Sequence, residues 1–318
     1  MARDLLHPAV ARLVDDPQLS EVLSVLGEQI SGADLTALLM EIVRRRAGRL
    51  QPSDVLGQYQ RDRFVAPAAI ELGHLRSIED IAVEETAPRF THVIPSPVVP
   101  LGTHSVMAGV HHQNNVITTI RASEVAADPT AALALEAAVR RRHLLDHDRR
   151  SSTPVRLAAI QRVVRAQRFV GPRSFAHFSL LGAVTAGRDV GSFAFESAAV
   201  LEHVRALASV VRRVAASAVT VKLTDFSGTH GPVIDRVVAE LERDGVAAPL
   251  WPDRTAARGY YPNVCFKLYA TTAGEEIEVG DGGLVAWAQD LLQSRKERLM
   301  TSGLSLERLV AAFPVTQR

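Results

Sequence analysis

The order of strand-like and helix-like segments is the feature that most limits the fold of this chain. Short stretches rich in apolar, aromatic and β-branched residues indicate strands. Neighbouring strands look like hairpins, and helices separate them irregularly instead of following each strand in turn. The pattern predicts an α+β domain built on a mostly antiparallel sheet flanked by helices. The predicted strands cover residues 90–94, 116–120, 174–186, 219–223 and 260–272.

Helix-like segments precede and separate these strands. In the first 50 residues, two apolar stripes repeat at i, i+3, i+4 and i+7, which is the spacing of one face of a helix. A passage punctuated by proline and glycine follows near residues 50–66. We therefore expect a helical N-terminal extension over residues 1–55 and one larger domain over residues 56–318. Further helices are predicted over 66–85, 131–145, 195–215, 233–243, 284–299 and 304–313.

Composition and charge argue against several classes of protein. The chain has 36 Lys and Arg against 35 Asp and Glu, a net charge of +1, which argues against a broad surface for non-specific nucleic-acid binding. Cys265 is the single cysteine, so we expect no internal disulfide and a reducing, cytoplasmic setting. No signal-peptide core is evident, and no apolar run reaches the length of about 18 residues that spans a bilayer. We expect no membrane association.

Two groups of polar residues have the chemistry of a ligand site. Arg165, Arg168 and Arg173 lie close together in the chain, and arginine provides the permanently charged, bidentate donors that a polyphosphate needs. Asp128 and Thr130 place a carboxylate and a hydroxyl at the start of a predicted helix. Each group also has a structural interpretation. The arginines fit a solvated basic face, and Asp128 fits an ordinary helix N-cap.

Three segments resemble, in order and separation, sequence motifs of the class II aminoacyl-tRNA synthetases. Residues 164–168 (Val-Arg-Ala-Gln-Arg) and 173–177 (Arg-Ser-Phe-Ala-His) are similar to motif 2. Residues 303–309 (Gly-Leu-Ser-Leu-Glu-Arg-Leu) are similar to motif 3. Motif 1, a helix followed by a strand and a proline at a dimer interface, fits residues 66–97. The resemblance implies a class II synthetase-like catalytic core, and with it a homodimer.

The resemblance also implies a site for ATP with Mg²⁺. The motif 2 arginine, here Arg165, contacts the α-phosphate and the amino-acid carboxylate. The motif 2 phenylalanine and the motif 3 arginine enclose adenine, a sensible arrangement for a ring and a guanidinium plane. The predicted ATP-binding residues are Arg165, Arg168, Arg173, Phe175 and Arg308.

Two further segments resemble the histidyl branch of this class. Residues 258–261 (Arg-Gly-Tyr-Tyr) are similar to an element whose arginine balances developing phosphate charge. Residues 128–130 (Asp-Pro-Thr) resemble a turn whose acid and hydroxyl hold the substrate α-amino group, with Glu124 as an alternative acid. The resemblance implies catalytic roles for Arg165, Arg258 and Arg308. The implied substrate-binding residues are Glu124, Asp128, Thr130, His177, Tyr260, Tyr261, Gly282 and Gly283.

Several positions depart from the histidyl pattern. Gln167 stands where motif 2 usually has a glutamate, and Leu181 stands where an acid is expected. Residues 280–284 (Gly-Asp-Gly-Gly-Leu) lack an Arg-Tyr-Asp core that helps to recognise imidazole. These departures leave the side chain of the substrate amino acid open.

No resident metal site is expected. His92, His104, His111 and His112 do not have the spacing of a zinc site. The acidic residues within 275–281 fit either a contribution to Mg²⁺ binding with ATP or an acidic hairpin turn.

The leading functional hypothesis is a free-standing ligase that activates an amino acid with ATP as an aminoacyl-adenylate. The acceptor would be a carrier protein, a small amine in a biosynthetic pathway or a tRNA acceptor end. No anticodon-binding domain is expected after Leu309. The alternative is a non-catalytic regulator resembling the regulatory subunit of ATP phosphoribosyltransferase, because a non-enzyme tolerates changes such as Gln167 and Leu181. A third hypothesis is an interaction module that uses the first 50 residues.

Overall fold

The fold is built on a seven-stranded sheet with helices on both faces. The computed structural model describes residues 15–109, 112–167, 175–272 and 274–313. The predicted α+β architecture is confirmed. The strands are Thr91–His92 (β1), Val98–Pro100 (β2), Ser123–Val125 (β3), Val155–Val164 (β4), His177–Arg188 (β5), Val219–Asp225 (β6), Val264–Thr272 (β7), Glu275–Val285 (β8) and Glu297–Ser305 (β9).

The strand order of the large sheet is β1-β4-β5-β9-β8-β7-β6. The pairing of β1 with β4 is parallel, and all the other pairings in this sheet are antiparallel. Strands β2 and β3 form a separate antiparallel pair. The predicted mostly antiparallel sheet is therefore confirmed, and β9 runs through its centre between β5 and β8.

Helices pack on the two faces of this sheet and enclose two apolar clusters. The larger cluster lies under α4, α6, α7 and α9, and includes Val200, Phe266 and Leu304. The smaller cluster lies under α5 and α8, and includes Leu133 and Trp287. The helices of the core are Leu72–Thr86 (α4), Pro129–His147 (α5), Ala194–Ala215 (α6), Gly231–Arg243 (α7), Trp287–Leu292 (α8) and Leu306–Ala312 (α9).

The N-terminal extension is helical from residue 17, as predicted. It contains Pro17–Ser24 (α1), Gly32–Ala47 (α2) and Pro52–Arg61 (α3), and none of their residues is buried. The Ser31 hydroxyl caps α2 by accepting a hydrogen bond from the Asp34 amide. Residues 1–14 lie outside the described ranges, and the division of the chain at residue 55 stays a prediction.

Two local predictions of secondary structure were wrong. In both cases the outcome depends on strand pairing with other segments, which local sequence does not show. Residues 284–299 were predicted as one helix, but α8 ends at Leu292, and β9 starts at Glu297. Leu, Met, Arg and Glu favour a helix locally, yet pairing with β5 and β8 on both edges makes this segment a strand. Residues 116–120 were predicted as a strand, but only Thr118 makes an isolated bridge, to Glu124. Strand β4 was not predicted.

Within the described ranges, no helix combines the length and the apolar character that crossing a bilayer requires.

Candidate active site above the central strands

A cavity of about 650 Å³ opens above strands β8 and β9, on the face of the sheet that α5 covers. Its volume lies in the usual range for small-molecule sites. Six of the predicted site residues line it, which places segments 128–130, 165 and 258–261 around one space. The lining residues are Gly109, Asp128, Thr130, Arg165, Ala257, Arg258, Gly259, Tyr260, Tyr261, Asp281, Thr301, Ser302 and Gly303.

Small residues on neighbouring strands keep the floor of this cavity open. Gly182 on β5 is opposite Gly303 on β9, which is opposite Asp281 on β8. Residues directly opposite each other in antiparallel strands project from the same face of the sheet. A Cβ atom on Gly182 would lie 2.6 Å from Cγ of Pro129, so glycine lets the start of α5 approach the sheet. The start of α5 therefore forms one wall of the cavity.

Asp128 joins that wall to the motif 2 arginine. Its Oδ1 accepts hydrogen bonds from the Thr130 amide (2.9 Å) and the Thr130 hydroxyl (2.7 Å). Its Oδ2 lies 3.1 Å from Nη2 of Arg165, and Nε of Arg165 donates to the Ala127 carbonyl at 3.0 Å. The Arg165 guanidinium also lies over the Phe178 ring, 5.2 Å from its centroid. Asp128 is thus both the helix N-cap and part of the cavity wall.

Tyr260 and Tyr261 form an aromatic wall on the other side. Their ring centroids are 4.4 Å apart, and the Tyr260 ring lies 5.8 Å from that of Trp287. Burial raises the pKa of both phenols well above the usual value, and the negative charge of Asp281 adds to the shift. Both hydroxyls are therefore protonated at neutral pH. Arg258 is exposed at the rim, with its guanidinium 5.0 Å from the Phe226 ring centroid.

Gly283 supports this aromatic wall from beneath. A Cβ atom there would lie 2.4 Å from Cδ1 of Tyr261 and 2.7 Å from Cβ of Cys265. Gly282 instead faces Ser302 and Phe266, where a Cβ would also clash. Neither glycine lines the cavity, so their contribution to the site is to allow close packing.

We expect Gly283→Ala to lower the free energy of unfolding by about 1–3 kcal/mol, because the added methyl overlaps the Tyr261 ring. Urea unfolding measures this loss. Gly32→Ala is the matched control, because it adds a Cβ in open space on α2. Gly191→Ala would not serve, because Gly191 has a positive φ that alanine adopts only with strain. Equal stability of the Gly283 and Gly32 variants would contradict the expected clash.

Several predicted site residues lie away from the cavity lining. Glu124 is buried and accepts hydrogen bonds from the amides of Gly102 and His104, at 3.1 and 2.8 Å, so it holds the loop after β2. Nε2 of His177 lies 2.7 Å from the Ala66 carbonyl oxygen, and so links β5 to the segment before α4. Both contacts are structural.

The residues predicted to enclose adenine, Arg308 and Phe175, are not part of the cavity lining. Nη1 of Arg308 donates to the Glu278 carbonyl at 3.3 Å and makes no ion pair with Glu307. Phe175 is half-buried and packs against the cluster that contains Val163 and Phe178. Arg168 and Arg173 lie outside the described residues.

The acidic hairpin between β7 and β8 is engaged in ion pairs. Glu276 lies 2.6 Å from Nζ of Lys222, and Glu278 lies 2.6 Å from Nζ of Lys267. Among the residues with described positions, no group of three or more His, Cys, Asp or Glu side chains is arranged to hold a metal ion. The interpretation of this segment as an acidic hairpin accounts for these contacts.

The cavity lining includes residues that were absent from the predicted site, among them four on the central strands β8 and β9: Asp281, Thr301, Ser302 and Gly303. Gly303 opens the segment that resembles motif 3, and Asp281 lies in a glycine-rich stretch. An acid between glycines in a strand was the available signal for Asp281. Thr301 and Ser302 had no signal, because they lay between two predicted helices and strand β9 was not predicted.

Comparisons with known proteins show which fold this is. No protein-family model and no curated protein sequence matches the chain. The apo histidyl-tRNA synthetase of S. aureus matches with a TM-score of 0.55 and 14% identity, over 75% of this chain and 64% of that one. A Bacillus halodurans protein described as an ATP phosphoribosyltransferase regulatory subunit/histidyl-tRNA synthetase matches with a TM-score of 0.58 and 14% identity, over 78% and 83%. A histidine–tRNA ligase subunit from Alicyclobacillus acidocaldarius matches with a TM-score of 0.57 and 12% identity, over 78% and 94%.

The sequence identities are low, so these likenesses concern the fold alone. The chain spans less than two thirds of the length of the S. aureus synthetase. The TM-scores of 0.55 to 0.58 show a shared fold over about three quarters of this chain. The chain therefore has a class II aminoacyl-tRNA synthetase-like fold.

Proposed function

We propose that this protein activates an amino acid with ATP and Mg²⁺, forming an aminoacyl-adenylate and releasing pyrophosphate. In this reaction a carboxylate oxygen attacks the α-phosphorus. The bond from that phosphorus to the bridging oxygen breaks, and pyrophosphate leaves with the electron pair. A homodimer and an acceptor, either a carrier protein, a small amine or a tRNA end, belong to the same proposal.

The observation that carries this proposal is the meeting of Arg165 and Arg258 with Asp128 and Thr130 around one cavity. These residues come from three separate segments of the chain: Arg165 follows Asp128 by 37 positions, and Arg258 follows Arg165 by 93. Two guanidinium groups suit a reaction in which negative charge develops on phosphate oxygens. Asp128 and Thr130 suit the ammonium group of the same substrate.

The residues present fit ATP. The cavity has the volume of a small-molecule site, and Gly303 adds no side chain to the floor, where a Cβ would meet nothing closer than the Leu181 carbonyl at 3.7 Å. Arg165 and Arg258 would contact the phosphates, and the base contacts implied for Arg308 and Phe175 would lie beyond the cavity lining. ATP supplies the α-phosphoryl group that makes the carboxylate reactive. The chain's own residues bind the two substrates, hold them together and neutralise the developing charge.

The test is exchange of labelled pyrophosphate into ATP with a mixture of amino acids. We expect exchange by the natural protein and a roughly 100-fold slower rate for Arg165→Ala, because a charged donor is lost at the reacting phosphate. Arg140→Ala is the matched control, since Arg140 is a half-buried arginine of α5 that lies outside the cavity lining and pairs with Glu136. No exchange by the natural protein, with ATP and all twenty amino acids present, would contradict the proposed activity.

One observation favours a second function, amino-acid sensing without catalysis. Arg165 is held by Asp128 and by the Ala127 carbonyl, so its guanidinium is already partly engaged. A site that binds an amino acid without ATP, as a regulatory subunit does, needs no free guanidinium for phosphate. Amino-acid binding without any ATP binding in calorimetry, together with co-purification of a phosphoribosyltransferase, would favour this function.

A further inference from the structure

We propose that the cavity selects an amino acid whose side chain ends in a positive charge, and that the Asp281 carboxylate receives this charge. This inference rests on the proposed function, since it names the class of amino acid at the same site. Asp281 thereby sets substrate specificity and takes no part in bond making. The ligand group is an ammonium or a guanidinium at the end of an aliphatic chain.

The first step of the argument is the position of Asp281. It lies on β8 in the middle of the large sheet, opposite Gly303 on one side and Lys267 on the other. Its side chain is half-buried and lines the cavity. Over the described part of the chain, no hydrogen bond or ion pair reaches its carboxylate. A carboxylate in this position lacks much of its hydration, and a partner of opposite charge restores the lost interaction.

The other acids near the cavity already have partners. Both oxygens of Asp128 are engaged, Oδ1 by Thr130 and Oδ2 by Arg165. Glu278 pairs with Lys267 at 2.6 Å. Asp281 is therefore the acid lining this cavity that has no hydrogen-bonding or ion-pair partner among the described residues. The position that it offers is separate from the one that Asp128 and Thr130 offer to an α-amino group.

The positive charges of Arg254 and Arg165 act on Asp281 and oppose the rise of its pKa, but among the described residues neither guanidinium donates a hydrogen bond to its carboxylate, and Nη2 of Arg254 has no hydrogen-bond partner. Arg254 is buried, but Nη1 donates to Sγ of Cys265 and Nε donates to the Ala256 carbonyl. Burial raises the pKa of Asp281 to about 6, and the negative charges of Glu278 and Asp128 add to the shift. The carboxyl group is thus ionised in most molecules at neutral pH. Burial makes this ionised form less favourable, and a bound cation would offset that loss of free energy.

The walls of the cavity suit the aliphatic part of such a side chain. The floor beside Asp281 is the bare backbone of Gly303, which leaves space for methylene groups. Tyr260 and Tyr261 present ring surfaces along one side, and aromatic faces attract both methylene groups and cations. Aromatic rings and bare backbone in the same cavity as a carboxylate match a long side chain with a charged tip.

The experiment compares charged amino acids with neutral ones of nearly the same shape, by calorimetry on the full chain. L-lysine is compared with L-norleucine, and L-arginine with L-citrulline, each with and without saturating ATP and Mg²⁺. We expect at least one charged member to bind tenfold or more tightly than its neutral partner. In Asp281→Asn this ratio should fall to near one. In Glu276→Gln, which removes an acid from the same strand but outside the cavity, the ratio should be kept.

Three results would overturn the inference: equal affinity within both pairs, an unchanged ratio in Asp281→Asn, or binding of MgCl₂ alone that Asp281→Asn removes. The last would assign Asp281 to a metal ion. The outcome is distinct from that of the proposed function. If the natural protein binds ATP and exchanges pyrophosphate but does not prefer charged amino acids, the specificity alone is contradicted. If it prefers charged amino acids but does not exchange pyrophosphate, the catalytic proposal alone is contradicted. Circular dichroism of Asp281→Asn verifies that the variant is folded.

Discussion

Replacing Arg141 by alanine is expected to lower the free energy of unfolding by about 3–5 kcal/mol, because it leaves a buried carboxylate without its partner. Arg141 and Glu297 are fully buried, and Nε and Nη2 of Arg141 each lie 2.9 Å from a Glu297 oxygen. The remaining donors of Arg141 reach the carbonyls of Thr153 (2.7 Å) and Ser151 (3.0 Å). One side chain therefore ties α5, the loop before β4 and the start of β9 together.

Urea denaturation followed by circular dichroism measures this loss. The neighbouring Arg140→Ala is the control, and its exposed pair with Glu136 should contribute only about 0.5 kcal/mol. The double variant Arg141→Met, Glu297→Met should recover most of the stability, because it removes both charges together. If Arg141→Ala were as stable as Arg140→Ala, the buried pair would not contribute to the free energy of unfolding as expected.

Replacing Glu307 by alanine is expected to cost roughly 2–4 kcal/mol of stability, because it removes charged hydrogen bonds and leaves a buried amide unpaired. Glu307 is fully buried at the start of α9. Its Oε1 and Oε2 lie 2.8 and 2.7 Å from the Ser179 amide nitrogen, and Oε1 lies 3.1 Å from Nη1 of Arg162. Glu307 thus holds the segment that resembles motif 3 against the strand that follows motif 2.

Thermal and urea unfolding test this role, with Glu275→Ala on the exposed β7–β8 turn as the control. Glu307→Gln keeps one acceptor oxygen and should lose about half as much stability as Glu307→Ala. Loss in Glu307→Gln equal to the loss in the alanine variant would show that the charge matters and the hydrogen bond to Ser179 does not. An unchanged stability in both variants would contradict the assigned role.

Residue patterns in the sequence predicted part of the cavity lining. Asp128 fits both the helix N-cap and the ligand-contact interpretations, and the structure places it in both positions, since Oδ1 caps α5 while the side chain lines the cavity. Arg165, Arg258 and Tyr261 were predicted to share one site, and they do line one cavity. Glu124 and His177 were predicted with them, but their polar atoms bind local backbone groups. Neighbouring backbone is invisible in a residue pattern.

What the sequence by itself determined is the local structure and the order of its segments. Helices such as α5, α6 and α7 were predicted within a few residues, because apolar spacing and caps act between residues that are close in the chain. The order of the arginine-bearing segments, which resembles that of class II synthetases, was also apparent from the sequence. Only the tertiary structure decided that residues 297–305 form a central strand, because pairing with β5 and β8 outweighs their helical preference. The same cross-strand register places Gly303 beside Asp281 and leaves that carboxylate facing the cavity, and register depends on contacts between residues far apart in the chain.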